Sequence, residues 1–270
     1  MFSSHDPVTD PALLQAHFAV APPAAAAPPP GVEPEAWQPC LLRIEPAQTG
    51  LLGEARWALH GLLPRGAADL GVAQGNTHCR VEAMKSAPAF RESWWAGRRC
   101  LVPAWHLSTW RQDGGGLRPW HVESTEPEPL ALAGLWNLWE GGGESVLSFT
   151  LLTLPAAGHA LFGGPGAPAD DARMPAILPR SAHLAWLYGS LNEAAALLRP
   201  CPATALTATP QALPHPAPRE PASWAAVPDM FAPEWLALAA TQPAPRRSRL
   251  PRAPQRPQPS SPGPTTADLF

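Results

Sequence analysis

Apolar and polar positions fall into short runs along this chain, and the period of the runs changes several times. Residues 8–18 (VTDPALLQAHF) put Leu13, Leu14, His17 and Phe18 at helical spacing. Thr9 or Asp10 can cap the segment and Pro11 stands where a first-turn proline is tolerated, so a short helix is predicted. Apolar runs of strand length follow at 40–44, 56–59, 99–102, 130–135 and 146–154. Between them, PAFRESWW (88–95) carries Phe90 and Trp94 four residues apart on one helical face. QDGGG (112–116) and EGGGE (140–144) read as hairpin turns, and 181–188 and 191–198 read as late helices. Many short strands with a few helices, without strict strand–helix alternation, predict an α+β fold: one domain on a barrel-like, mostly antiparallel sheet with peripheral helices.

Composition narrows this picture. The 38 prolines are concentrated rather than periodic. They mark a Pro/Ala-rich linker at 21–34 and a Pro/Arg/Ser-rich tail at 228–270, with a short helix candidate at 233–240 inside it. Such a tail cannot bury enough apolar surface to offset its ordering entropy, so it is expected to be disordered, leaving 1–227 as the domain. Its arginines (Arg246, Arg247, Arg249, Arg252 and Arg256) meet no acid until Asp268. They form a basic arm that touches nucleic acid nonspecifically or keeps the tail soluble. Most of the 12 tryptophans are expected in the core.

A net charge of −3 excludes a polyanion binder by overall charge. Locally, residues 80–118 hold Arg80, Lys85, Arg91, Arg98, Arg99, Arg111 and Arg118 against Glu82, Glu92 and Asp113, either a phosphate-binding patch or a solvated face. Cys40, Cys79, Cys100 and Cys201 form no C-x-x-C pair, which argues against a zinc site and against a disulfide framework. MFSSHDPVTD lacks the charged and apolar regions of an export signal, and the Ala/Pro run at 19–31 holds too many prolines for a membrane helix. A cytoplasmic monomer without membrane contact, cofactor or metal is expected.

The stretch FRESWWAGRRCLVPA (90–104) resembles the F-R-E, short spacer, R-R-C-L-V-P-A signature of the SOS-response-associated peptidase (SRAP) family, which processes abasic sites in DNA. The likeness extends both ways. RVE (80–82) resembles the family's R-A-E, HGLLP (60–64) its W-G-L-I-P, LALAGLW (130–136) its L-A-F-A-G-L-W, and SFTLLT (148–153) its S-F-T-I-L-T. RMPAILP (173–179) resembles R-M-P-V-I-L-P, LLRPCPA (197–203) resembles L-L-R-P-Y-P-A, and Trp110 matches the Trp that ends G-F-Y-E-W. Order and spacing hold to about residue 226.

The resemblance implies a reaction in which a cysteine at position two closes a thiazolidine ring on the abasic aldehyde. That chemistry needs an amine and a thiol together, because an amine alone gives a reversible imine. Here position two is Phe2. The family's Asn falls on His78, its Glu on Thr109, its His on Asp171, and its early Arg on Ser4. Asn76 is two residues out of register. Arg80 matches the family's phosphate-contacting Arg and Trp110 an aromatic of its DNA cleft, so binding groups remain where catalytic ones are replaced.

Other constellations carry less. His78 and Cys79 are adjacent, and neighbours on a strand point to opposite faces, which works against a Cys–His pair. His159 with the adjacent Asp170–Asp171 pair has no further metal ligand at regular spacing. GGPG (163–166) lacks the Lys and the strand–helix context of a phosphate loop. Two functions stay open. One is a catalytically silent protein that binds single-stranded DNA or a protein partner. The other is an active abasic-site enzyme with His78 and Asp171 as an acid–base pair.

Overall fold

A computed structural model describes residues 2–23, 36–44, 50–113, 116–163 and 172–211. The chain divides into two units, Met1–Pro214 and His215–Phe270, and every described residue lies in the first. The predicted tail with its helix candidate at 233–240, most of the linker, and Asp171 lie outside the described residues.

In chain order the elements are β1 (Phe2–Pro7), α1 (Pro11–Phe18), β2 (Val20–Ala21), β3 (Trp37–Leu42), β4 (Gly53–His60), a 3-10 turn at Leu70–Asn76 and β5 (His78–Arg80). Then come α2 (Arg91–Trp95), β6 (Arg99–Asp113), β7 (Gly116–Ser124), β8 (Leu130–Gly141), β9 (Glu144–Pro155) and β10 (Arg173–Pro175). Helices α3 (His183–Tyr188) and α4 (Leu191–Leu197) and strand β11 (Leu206–Pro210) complete the described part. Helix α1 begins where its residues dictate: Asp10 caps it by accepting from the Ala12 amide at 2.8 Å, and Pro11 opens the first turn. Helix α4 begins with a capping box between Ser190 and Glu193.

Five strands close a barrel: β4 pairs β3, β3 pairs β6, β6 pairs β8, β8 pairs β9, and β9 returns to β4. The closing β4–β9 contact is parallel, as are β2–β4 and β5–β9; the other pairings are antiparallel. The β8–β9 hairpin turns on Gly142 (φ 60°) and Gly143 (φ 82°), the left-handed pair that a two-residue turn demands. Inside the wall, a Cβ on Gly134 would lie 2.8 Å from Cys100 Sγ and 2.8 Å from Thr150 O, so the LALAGLW strand requires glycine there.

The predicted strand at 99–102 is only the start of β6, which runs for 15 residues. Its first half is a barrel stave and its second half carries β1 on one side and β7 on the other, with β11 beyond β7. The main core fills the barrel and the space under α1, α3 and α4; a smaller cluster gathers Trp37, Leu59, Leu63, Ala73, Trp139 and Val146.

Candidate functional site

The arginines of the R-R-C signature do structural work. Arg99 is buried and donates from Nε to the carbonyl of Trp186 and from Nη2 to that of Gly189, tying the end of α3 to β6. Trp186 Nε1 answers by donating to Cys100 O at 2.8 Å. Arg98 donates to Asn137 Oδ1, stands 3.6 Å from Glu92, and lies over the Trp136 ring. Buried Asn137 in turn donates to Leu63 O at 2.6 Å. The basic patch read from sequence is therefore smaller than its count suggests, since Arg99 faces the interior and Arg98 is engaged.

Strand pairing brings two candidate positions together. Phe2 on β1 is the register partner of Thr109 on β6, which pairs on its other side with Trp120 of β7. Thr109 is fully buried, and its hydroxyl has no hydrogen-bond partner among the described residues. His78 begins β5, opposite Leu151 of β9. Next to it, Cys79 is fully enclosed in the core, and burial pushes its thiol up to about 12, so it is held as an unreactive thiol.

His78 belongs to a cluster. Its ring meets that of His60 edge to face at 5.8 Å, and His60 meets His5 in the same way at 5.4 Å. His60 also stacks on Phe149 at 4.9 Å. Each imidazole has one nitrogen engaged: His5 Nε2 with Gln38 Oε1 at 2.6 Å, His60 Nε2 with Thr77 O at 3.2 Å, and His78 Nδ1 with Thr77 Oγ1 at 3.1 Å. Burial, reinforced by mutual repulsion, lowers His5 to about 4 and His60 to about 3; burial also lowers His78. The cluster is neutral at physiological pH. Among the described residues, no group of three or more His, Cys, Asp or Glu is arranged to hold a metal ion.

Arg80 and Trp110 stand differently. Arg80 is exposed at the end of β5. Glu82, its nearest acid in sequence, is taken by Arg173 through paired contacts of 2.9 Å, and that bond is the main reason the Glu82 carboxyl is held below its usual range. Arg173 also donates to Thr153 O at 2.6 Å, on the strand that pairs with both β5 and β10. Trp110 is 43% exposed, directly after buried Thr109. These two residues offer a cation and an aromatic face to solvent, the pair of groups that single-stranded nucleic acid uses.

The family model for SOS response associated peptidase (SRAP) matches residues 8–212. The chain belongs to this family. Among curated proteins, similar relatives are the chicken abasic site processing protein HMCES (29% identical over 122 residues, 38% of this chain and 34% of that protein) and its counterpart from Xenopus tropicalis (26% over 152 residues, 46% and 44%). The chain thus spans less than half the length of these relatives. A crystal structure of a Bordetella bronchiseptica protein superposes with a TM-score of 0.66 at 26% identity, covering 78% of this chain and all of that one. A Bacteroides thetaiotaomicron crystal structure shares the fold, with a TM-score of 0.53 at 22% identity over 65% of this chain and 74% of that one.

Within this SRAP fold, His5 and His60 went unnoticed in the sequence reading. The available signal was His60 standing where the family motif has Trp; His5 has no pattern around it. Other features lie apart from the candidate positions. His159, once weighed with Asp170 and Asp171, bonds Cys201 O at 2.9 Å and accepts from the Leu161 amide at 3.2 Å, while the two aspartates lie outside the described residues. An apolar groove of about 820 Å³, with Phe18, Leu130, Ile177, Leu197 and Leu206 in its lining, includes none of the candidate positions. No helix among the described residues is long and apolar enough to cross a membrane.

Proposed function

We propose that this SRAP protein works in the response to abasic or single-stranded DNA by reversible binding, without the covalent step. The contrast within β6 carries the reading: Thr109, at the position of the family's acid, is sealed in the interior, while Trp110 beside it faces solvent. A buried threonine hydroxyl neither takes nor gives a proton near neutrality. Phe2 supplies no thiol to trap an aldehyde, and the neutral cluster around His78 presents no charge to a sugar ring. Arg80, exposed and with Glu82 held by Arg173, supplies a cation for a phosphate, and Trp110, 43% exposed, supplies an aromatic surface for a base.

Incubation with abasic single-stranded DNA tests this directly. The expected result is no heat- and denaturant-resistant conjugate and no strand scission, with reversible binding that weakens as salt rises. Arg80→Ala should weaken binding and reduce the salt slope by about 0.7, the share of one phosphate on a single strand. Trp110→Ala should weaken binding roughly tenfold at unchanged slope, because stacking releases no counterions. A covalent band or scission would instead support a rearranged active site built on His78 and Asp171. Unchanged affinity in both variants would place the DNA elsewhere on the protein.

A further inference from the structure

The most exposed aromatic side chain among the described residues is Trp95. It ends helix α2 and is 60% exposed, whereas its neighbour Trp94 is fully packed. Single exposed aliphatics are ordinary on protein surfaces; a held, exposed indole beside cations is less so. Trp95 is held, since its Nε1 donates to Lys85 O at 3.2 Å, fixing the ring against the turn before α2 and lowering the entropy lost on stacking. Arg91 is exposed four residues earlier on the same helical face. The only lysine of the chain, Lys85, sits on the adjoining turn with its ammonium 5.9 Å from the Trp94 ring centroid.

The charge balance of this surface is one-sided. Its two acids are both engaged, Glu92 with Arg98 at 3.6 Å and Glu82 with Arg173 at 2.9 Å. Arg80, Lys85 and Arg91 make no ion pair among the described residues. The surface is also continuous with Arg80, whose carbonyl accepts from the amides of Ala83 (2.9 Å) and Met84 (3.1 Å), so that the chain turns at once from β5 toward Lys85.

We propose that the face made by Lys85, Arg91 and Trp95 is a second contact for single-stranded nucleic acid, in which Trp95 stacks on one unpaired base and the two cations meet its flanking phosphates. It rests on the proposed strand binding at Arg80 and Trp110 and extends it to nucleotides outside that contact. Uncharged or basic partners gain nothing from three cations whose nearest acids are occupied, and an acidic peptide uses the charge but not the indole face, whereas a strand uses both.

Binding of the full chain to single strands of about 4 and about 12 nucleotides, at two salt concentrations, separates the two contacts. Trp95→Ala should lose roughly tenfold in affinity for the longer strand and leave the shorter one unchanged, and Trp95→Phe should retain most of it. Lys85→Gln with Arg91→Gln should reduce the salt slope on the longer strand by about 1.4, two phosphates' share. An unfolding transition in Trp95→Ala equal to that of the parent confirms that only the surface has changed. Equal affinity of Trp95→Ala and parent for both lengths, while Arg80→Ala weakens both, would overturn this second contact and leave the first standing. A Trp95→Ala loss of the same size on both lengths would also overturn it as a separate contact. Failure of the unaltered protein to bind either strand would remove both.

Discussion

Arg99 and Arg80 each sit in a family-like motif, R-R-C and R-V-E, yet the two regions use their arginines in opposite ways. Around Arg99 the guanidinium is sealed inside and its donors hold the carbonyls that end α3. Around Arg80 the side chain is exposed and its acidic neighbour serves Arg173. In the barrel wall, removing Arg99 would leave the carbonyls of Trp186 and Gly189 without their donor. The outer half of β6, with β1 and β5 beside it, carries His78, Thr109 and Phe2, where the motif resemblance would set the family's Asn, Glu and Cys. Likeness of sequence here follows mechanical need in the wall, and says little about chemistry at its edge.

The sharpest way to break that comparison is at Arg99. Arg99→Met should cost about 2–4 kcal/mol in denaturant unfolding, because one buried and one part-buried carbonyl lose their donor. A loss near zero would mean the wall does not depend on its signature.

The histidine cluster gives the next effect. His5 and His60 are lowered to about 4 and about 3 from 6.5, so the unfolded chain takes up protons at a pH where the folded one does not. Stability from this source is complete above about pH 6.5 and drains away as pH falls toward 4 and below, by up to about 1.4 kcal/mol per pH unit for each histidine. His60→Phe should make that acid slope shallower by one proton's share in unfolding measured between pH 4 and 6.5. An unchanged slope would show that burial does not keep this ring neutral.

The smallest effect is expected at Thr109. Thr109→Val removes a buried hydroxyl without a partner and keeps the shape, so stability should stay within about 1 kcal/mol of the parent or rise. A marked loss would reveal a bond that the threonine makes.

Much of the wall was legible in the sequence because its strands are apolar on both faces or closed by glycine turns, as in LALAGLW, SFTLLT and EGGGE. What escaped notice lies at the outer half of β6. FSSHDP and LTATP become β1 and β11 through main-chain pairing to β6 and β7, with no apolar alternation to announce them, while of the β6–β7 hairpin only the turn at QDGGG was legible. Pro103 argues against continuing the predicted strand beyond residue 102, and Thr109, a polar residue at a buried position, breaks the apolar pattern farther along β6. Arg80, Trp110, His78 and Thr109 were named from the motif alone, and strand pairing then set Thr109 against Phe2. The meeting of His5, His60 and His78 depends on three strands remote in sequence, β1, β4 and β5, and no local pattern carries it.

The parallel seam between β4 and β9 has a consequence for how the chain acquires its shape. Leu59 and His60 find Ser148 and Phe149 only after most of the described chain has been made. Until then β4 and β8 each expose an unpaired rim, and contacts of such long range slow the search for the native state. During synthesis, protection of those rims falls to chaperones or to speed, and a ribosome stalled before β9 would release a chain prone to join its neighbours edge to edge.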